Sequence, residues 1–266
     1  MSRSDDTFTY SDLLACLQVL RGRATGRPLA YVVALVGGFI MEGDLRRMLR
    51  YFVRKGTVEQ RDEANGRVYL LSGPSRASGI VHLKVEKSQA PWNGKWNVFT
   101  YDIPEHSNTA RRRLARLLHR MGFGMLSASS WVSPYDWRDT LSQALREWAC
   151  AGAFSYVGPA AVTTLGKASE SYPMECWELR GLRTTYNRIA QRCANAPRSA
   201  GAWERKARAR IAFAATKELA SIGELDPMLP AELLPDDWPR ARALRCLERL
   251  RSAVQADAQH AARSLG

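Results

Sequence analysis

The richest source of chemistry in this sequence is a run of arginines within residues 42–56, EGDLRRMLRYFVRKG. Its apolar residues recur at spacings of three and four, which predicts an amphipathic helix, and most of its basic residues fall on the opposite face. Guanidinium groups form paired hydrogen bonds to phosphate oxygens and to the major-groove edge of guanine. The segment therefore predicts a DNA-reading helix in which Arg46, Arg47 and Arg50 face DNA and Arg54 binds a backbone phosphate.

The neighbouring segments predict the frame that would hold such a helix. Upstream, a leucine-rich run predicts one helix, and PLAYVVALV predicts a second, with Pro28 in its first turn. Downstream, residues 57–72 predict a β-hairpin closed by an Asn-Gly turn. Three helices followed by a two-stranded ribbon are the pattern of a winged helix-turn-helix, in which Arg61 and Arg67 of the ribbon would add contacts to backbone phosphates.

The same pattern has a second interpretation. Winged-helix modules also serve as protein contacts, and the basic face of a helix is often simply solvated. The ribbon is mixed in charge, because Glu59, Asp62 and Glu63 lie close to its arginines. A structural or adaptor protein that does not bind DNA therefore stays an alternative to a DNA-binding protein.

The overall composition favours a polyanionic partner. The chain has 39 Lys and Arg against 26 Asp and Glu, a net charge of +13 that is spread over its whole length. Five cysteines and four histidines fall at no metal-ligand spacing, so we expect reduced thiols, no metal and no cofactor. No apolar run approaches the roughly 20 residues of a membrane-spanning helix, and the N-terminus lacks a signal-peptide pattern. We expect a cytoplasmic protein with no membrane partner.

Residues 92–172 alternate between strand and helix patterns. KWNVFTYDIPEH, MLSASSWVSP and AFSYVGP predict three strands, separated by two amphipathic helices. This order predicts a ferredoxin-like domain whose fourth strand is a short piece or comes from elsewhere. The predicted fold class is thus α+β, with an N-terminal winged helix-turn-helix domain (1–76), a linker (77–91), this central ferredoxin-like domain and a helical C-terminal domain (173–266).

A proline-rich segment, DPMLPAELLPDDWP, interrupts the C-terminal helices at residues 226–239. Proline is excluded from helix interiors and from central strands, and it presets the backbone of turns. Apolar residues between the prolines suit burial. We interpret the segment as a rigid elbow anchored by Leu229, Leu233, Leu234 and Trp238.

Four motifs of the chain resemble one bacterial family. They are W-x-V-F-T-Y-D-I-P-E (96–105), R-R-R-L-x-R-L-L-x-x-M-G-F-G (111–124), S-x-S-S-W-V-S-P (127–134) and D-P-x-L-P-A-E-L-L-P-x-D-W-P (226–239). The first three resemble the central domain of the PaaX family, and the fourth resembles that family's C-terminal signature. PaaX proteins are transcriptional repressors of aromatic-acid catabolism.

The resemblance implies a protein that is not an enzyme. Family members bind double-stranded operator DNA as homodimers and are released by a small-molecule effector, an aryl-CoA thioester that is typically phenylacetyl-CoA. The thioester brings phosphates, which bind arginines, and an acyl group, which prefers an apolar cleft. Effector candidates between the central and C-terminal domains are Trp177, Arg180, Arg183, Tyr186 and Arg188.

A metal-dependent nuclease is the enzymatic alternative. The central domain is similar to a small ferredoxin-like protein of CRISPR adaptation, and in its nuclease relatives the acid at the end of the first strand binds a divalent metal. Asp102 is the matching residue here. Metal-assisted phosphodiester hydrolysis needs clustered carboxylates, and this segment adds only Glu105.

Overall fold

The computed structural model separates the chain into two compact units. The first unit comprises Met1–Gly73, Thr184–Ser221 and Pro239–Gly266, and the second comprises Pro74–Arg183 and Ile222–Trp238. The structure describes residues 13, 15–17, 27–28, 32, 40–63, 66–72, 76–104, 107–148, 152–162, 175–199 and 201–263. Helices and antiparallel sheets both occur, which confirms the α+β class. The domain boundaries proposed from the sequence stay predictions.

In the first unit, the arginine-rich segment forms helix α1 (Glu42–Arg54), as the apolar spacing predicts. The hairpin that follows consists of β2 (Val58–Glu63) and β3 (Gly66–Leu71). A two-residue strand, β1 (Arg27–Pro28), pairs with β3 on the side away from β2. The prediction that Pro28 begins a helix is therefore wrong. An edge strand accommodates proline because the missing N–H is not needed by an inner neighbour.

The second unit contains a four-stranded antiparallel sheet with the order β5-β6-β4-β7. Along the chain its elements run β-α-β-β-α-β: β4 (Trp96–Asp102), α3 (Asn108–Met121), β5 (Gly124–Ser127), β6 (Ser130–Ser133), α4 (Arg138–Glu147) and β7 (Ala153–Ala160). The sequence predicted one strand where the structure has the β5-β6 hairpin. The turn through Ala128 and Ser129 divides that segment, and this division supplies the fourth strand.

The core of the second unit lies between this sheet and its helices. Leu114, Leu118 and Met121 of α3 are fully buried, as their spacing predicts, and they pack in one cluster with Phe99 and Trp131 of the sheet. Phe99 and Trp131 are directly opposed on β4 and β6, so their side chains share one face of the sheet. Burial of these large aromatic and aliphatic groups is the main stabilising contribution to the unit.

Helix α2 (Arg76–Lys87) occupies most of the segment predicted as a linker, 77–91. Its Lys84 is fully buried. The Nζ atom donates hydrogen bonds to the carbonyls of Gly223 at 3.3 Å, Glu224 at 3.0 Å and Asp226 at 2.7 Å. Sequence patterning missed this contact, because a lysine on an amphipathic helix usually points to solvent.

Three more helices lie mostly in the first unit: α5 (Leu179–Ala194), α6 (Ala202–Gly223) and α7 (Arg240–Arg263). Arg208 of α6 is 6% exposed. Its guanidinium forms a bidentate pair with Asp257 of α7 and also donates to the carbonyls of Pro197 and Ser199. This group ties α6, α7 and the loop after α5 together.

The proline-rich elbow belongs to the second unit. Asp226 is fully buried, and its Oδ1 accepts the backbone N–H of Met228 at 2.7 Å, which closes a tight Asx turn. Met228 has the left-handed φ of 55°, and its carbonyl accepts the Tyr135 hydroxyl. Leu229 and Leu233 are buried as predicted, whereas Leu234 and Trp238 are partly exposed.

Replacement of Gly122 by alanine tests how closely the elbow packs against the end of α3. Gly122 has φ 85°, and an added Cβ would lie 2.7 Å from the backbone oxygen of Pro227. We expect Gly122→Ala to lower the free energy of unfolding by about 2–3 kcal/mol, since left-handed strain adds to a clash with backbone. Urea unfolding followed by tryptophan fluorescence measures it, because seven of the eight tryptophans lie in this unit.

Gly181→Ala is the matched control for this measurement. It lies near the start of α5 in the same unit, and nothing stands within 4 Å of its added Cβ. Alanine in an open helical position is neutral or stabilises by about 0.5–1 kcal/mol. Equal stabilities of the two variants would contradict a close approach of the elbow to α3.

Candidate nucleic-acid interface

Helix α1 presents two chemically distinct faces. One face is apolar and buried, and it consists of Leu45, Met48, Leu49 and Phe52. The four arginines that the sequence singles out on this helix are all exposed, and they are Arg46, Arg47, Arg50 and Arg54. Their spacing over nine residues follows the turns of the helix, so burial of the apolar side determines which way the basic side points.

Ion pairs divide these arginines into two kinds. Arg46 contacts Glu42 at 2.5 Å, and Arg47 contacts Asp44 at 2.7 Å, both within the helix. Within the part of the chain that the structure describes, Arg50 and Arg54 have no acidic partner within ion-pair distance. Their charge is uncompensated locally, which leaves them the better candidates for phosphate contacts.

The remainder of this surface is less strongly cationic. Lys55 Nζ lies 5.9 Å from the ring centroid of Tyr51, whose side chain is itself partly exposed. In the hairpin, Arg61 pairs with Glu59 at 2.9 Å, and the hydrogen bond from Arg61 holds the pKa of the Glu59 carboxyl below its usual value. The side chain of Arg67 lies outside the described residues, while its backbone pairs with Asp62 in the hairpin.

The five effector candidates differ in their surroundings. Trp177 is buried; its Nε1 donates to the Gly122 carbonyl at 3.0 Å and its ring stacks on Trp96. Tyr186 is 1% exposed. These two aromatic side chains therefore contribute to packing in their respective units.

The three arginines among the effector candidates are at the surface or partly so. Arg183 pairs with Asp237 in the second unit. Arg188 pairs with Glu218 at 3.2 Å in the first unit. Arg180 is exposed. The assignment of all five residues to an effector site stays a prediction.

A cavity that sequence reasoning did not anticipate lies in the first unit. Its volume is about 690 Å³, and its lining includes Cys193, Cys246, Arg198, Arg249 and the Arg208–Asp257 pair. Burial, with a smaller contribution from the neighbouring Cys246, raises the pKa of Cys193 to about 11, so this thiol is protonated near neutral pH. No sequence pattern points to the cavity, because its lining comes from three helices and a loop.

Asp102, the residue of the nuclease alternative, is exposed at the end of β4. Among the described residues, no group of three or more His, Cys, Asp or Glu side chains is arranged to hold a metal ion. Glu105 lies outside those residues. Over the same described ranges, no helix is long and apolar enough to cross a bilayer.

Comparison with known proteins defines the class to which this fold belongs. Residues 89–168 match the model of the PaaX protein central Cas2-like domain, and residues 177–264 match that of the PaaX-like protein C-terminal domain. Together the two matches span well over half of the chain. The chain belongs to the PaaX family, whose members are generally regulators rather than enzymes.

A solved structure has a similar fold over almost the entire chain. It is the uncharacterized protein Rv0674 from Mycobacterium tuberculosis, with a TM-score of 0.65 and 22% sequence identity. The similarity covers 95% of this chain and 99% of that one. At this identity the likeness concerns the fold alone. No curated protein matches the chain.

Proposed function

We propose that this protein is a transcriptional regulator, and specifically a repressor, that binds double-stranded operator DNA through α1 and the β2-β3 hairpin. Membership in the PaaX family supports the regulatory role. A basic helix is followed by a hairpin, and the strand β1, which precedes the helix in the chain, pairs with that hairpin. This arrangement supports a winged helix-turn-helix. The β-α-β-β-α-β order and antiparallel sheet support a ferredoxin-like central domain.

The observation that carries the proposal is the position of Arg50 and Arg54. Both are exposed, four residues apart on one side of α1, and neither is held by an acid among the described residues. Helix geometry puts them about 6 Å apart along the axis. A helix of this kind fits the major groove, where its outward arginines meet base edges and phosphates. Arg46 and Arg47 must exchange an intrahelical acid for DNA.

Homodimer formation and release by an effector complete the proposal, and both rest on the family. A dimer would present two copies of α1 to a palindromic site. An aryl-CoA or related aromatic catabolite would relieve repression. The cavity in the first unit falls within the usual volume range of small-molecule sites, roughly 300–1,000 Å³. Arg198 and Arg249 in its lining would suit the anionic groups of such a ligand.

Footprinting and salt titration test the DNA-binding role. We expect the protein to protect a palindromic site upstream of its own gene and the Arg50→Ala/Arg54→Ala double variant to bind that site about 10–100-fold more weakly. Loss of two phosphate contacts also lowers the slope of log affinity against log salt by about 1.8. Addition of phenylacetyl-CoA and other aryl-CoA esters should release the wild-type footprint.

The matched control is Arg242→Ala/Arg245→Ala, which removes two exposed arginines from α7 in the same unit. It has the same change in net charge without touching α1. If both double variants bind the operator equally well, α1 is not the reading helix. Association with another protein and no preference for DNA would instead favour the adaptor alternative.

A further inference from the structure

Helix α3 of the second unit carries an arginine surface that the proposed operator contact does not use. The helix has the sequence NTARRRLARLLHRM, with five arginines and no acid. Its buried side faces the core cluster of the unit. Three of its arginines, Arg112, Arg113 and Arg116, are exposed, and together they are called the α3 arginine surface below.

The other two arginines of α3 have internal roles. Arg111 donates from Nε to the Ile103 carbonyl at 2.8 Å, and its Nη2 reaches the same oxygen, which fixes the chain after β4. Arg120 lies 4.0 Å from the carboxylate of Glu224. Contacts within the unit therefore explain two of the five arginines of α3. They do not explain the three arginines of the α3 arginine surface.

Within the described ranges, no member of the α3 arginine surface has an acidic partner within ion-pair distance. Arg116 Nε donates at 3.3 Å to the carbonyl of Arg112, which is a weak contact within the helix. Arg112 and Arg116 carry like charges four residues apart and repel each other. The charges of these two residues therefore do not serve the stability of α3.

Arg113 is held in a fixed orientation. Its guanidinium lies 4.0 Å from the ring centroid of Trp148, at the end of α4. Stacking uses the flat face of the guanidinium and leaves the N–H groups on its edge available for hydrogen bonds. Restricting the side chain in this way lowers the entropy lost when it binds an anion.

The geometry suits an extended anion. The three side chains stand on an exposed helix face, and Arg112 and Arg116 are separated by one helical turn, about 6 Å along the axis. Guanidinium groups spaced along a convex surface match successive phosphates of a nucleic acid backbone, which guanidinium forks bind bidentately. No base-reading element is required, so such a contact is independent of sequence.

We infer that the α3 arginine surface is a second nucleic-acid contact, which binds the phosphate backbone of duplex DNA without sequence preference. It is separate from α1, which lies in the other unit. The choice of duplex DNA as the polyanion rests on the proposed function, whereas the existence of a phosphate-binding surface rests on α3 itself. The contact would add affinity and salt sensitivity to DNA binding but would not alter which operator is chosen.

The Arg112→Gln/Arg116→Gln double variant tests this inference in the full-length protein. Fluorescence anisotropy with a labelled duplex that lacks the operator measures affinity over a range of KCl concentrations. We expect affinity about tenfold weaker than wild type and a log–log salt slope lower by about 1.8, or about 0.9 for each lost phosphate. The operator footprint should keep its position and boundaries.

Arg242→Gln/Arg245→Gln is the control, since it removes equal charge from exposed positions on α7. A salt slope for the α3 variant that matches this control would overturn the inference, whatever the result at the operator. Weaker binding to single-stranded RNA of the same length, with duplex binding unchanged, would overturn the choice of duplex DNA. The operator footprint of the Arg50→Ala/Arg54→Ala variant is a separate measurement. It tests the proposed function and not the α3 arginine surface.

Discussion

Replacement of Lys84 by methionine should destabilise the second unit by about 3 kcal/mol. Methionine keeps most of the buried stem of the side chain but loses the ammonium group that binds the carbonyls of Gly223, Glu224 and Asp226. Burial of an ammonium group opposes folding, so removal of the charge recovers some free energy. Loss of the donor costs more, because a buried unsatisfied acceptor costs about 1–3 kcal/mol and the Asp226 carbonyl is buried.

The position of these carbonyls makes the loss difficult to relieve. Gly223 ends α6, where the last carbonyls of a helix lack intrahelical donors and the dipole is negative. Asp226 begins the elbow and is itself fully buried. Lys84 thus links α2 both to the end of α6 and to the elbow.

Urea unfolding followed by tryptophan fluorescence measures the effect, since this signal comes almost entirely from the second unit. Lys95→Met is the matched control: it makes the same substitution at an exposed lysine of the same unit. A surface change of this kind stays within about 0.5 kcal/mol. Equal unfolding midpoints for the two variants would show that the bonds of Lys84 give no net stabilisation.

Asp257→Asn should destabilise the first unit by about 3–5 kcal/mol. The substitution leaves the guanidinium of Arg208, which is 6% exposed, without its bidentate carboxylate. The carbonyls of Pro197 and Ser199 still accept hydrogen bonds from Arg208, but they carry no compensating charge. An uncompensated buried charge is what makes the loss of one partner of a buried ion pair costly.

Far-UV circular dichroism during urea unfolding follows this change, because the pair joins α6 to α7. Glu218→Gln is the control, since Glu218 pairs with Arg188 and Arg192, whose side chains are 45% and 51% exposed. Exposed pairs contribute at most about 1 kcal/mol. A loss in Asp257→Asn no larger than in Glu218→Gln would contradict a stabilising role for the buried pair.

A paired substitution separates the charge effect from loss of packing. Arg208→Met combined with Asp257→Leu removes both charges and keeps apolar volume. We expect it to recover a substantial part of the stability lost in Asp257→Asn. If the double variant recovers no stability, the loss is due to the hydrogen bonds between Arg208 and the loop after α5.

Elements with a clear periodic pattern of apolar residues were predicted well from the sequence. The amphipathic spacing of α1 fixed both its buried face and its exposed arginines. The leucine spacing of helix α3 predicted its buried side, and the helix ends at Gly122, which takes the left-handed φ of 85°. The motif resemblance to the PaaX family was confirmed by the two matching domain models.

The sequence-based predictions were wrong where an element is too short to show a periodic pattern. Pro28 lies in a strand because it meets β3, and a two-residue strand has too little alternation to be recognised. The strands of the β5-β6 hairpin have only four residues each, and the sequence therefore predicted a single strand in their place. Helix α2 has a weak apolar pattern, and the linker boundaries proposed around it stay predictions.

By itself, the sequence determined the basic character of the protein, its family and the positions of its arginines along two amphipathic helices. The acids one turn from Arg46 and Arg47 follow from helical spacing alone. Only the tertiary structure decided that Arg111 donates to a strand-end carbonyl and that Arg113 lies against the ring of Trp148. Whether a charge is free to bind a partner depends on distances of a few ångströms to its neighbours. Contacts such as that of Lys84 join positions about 140 residues apart, which no local pattern encodes.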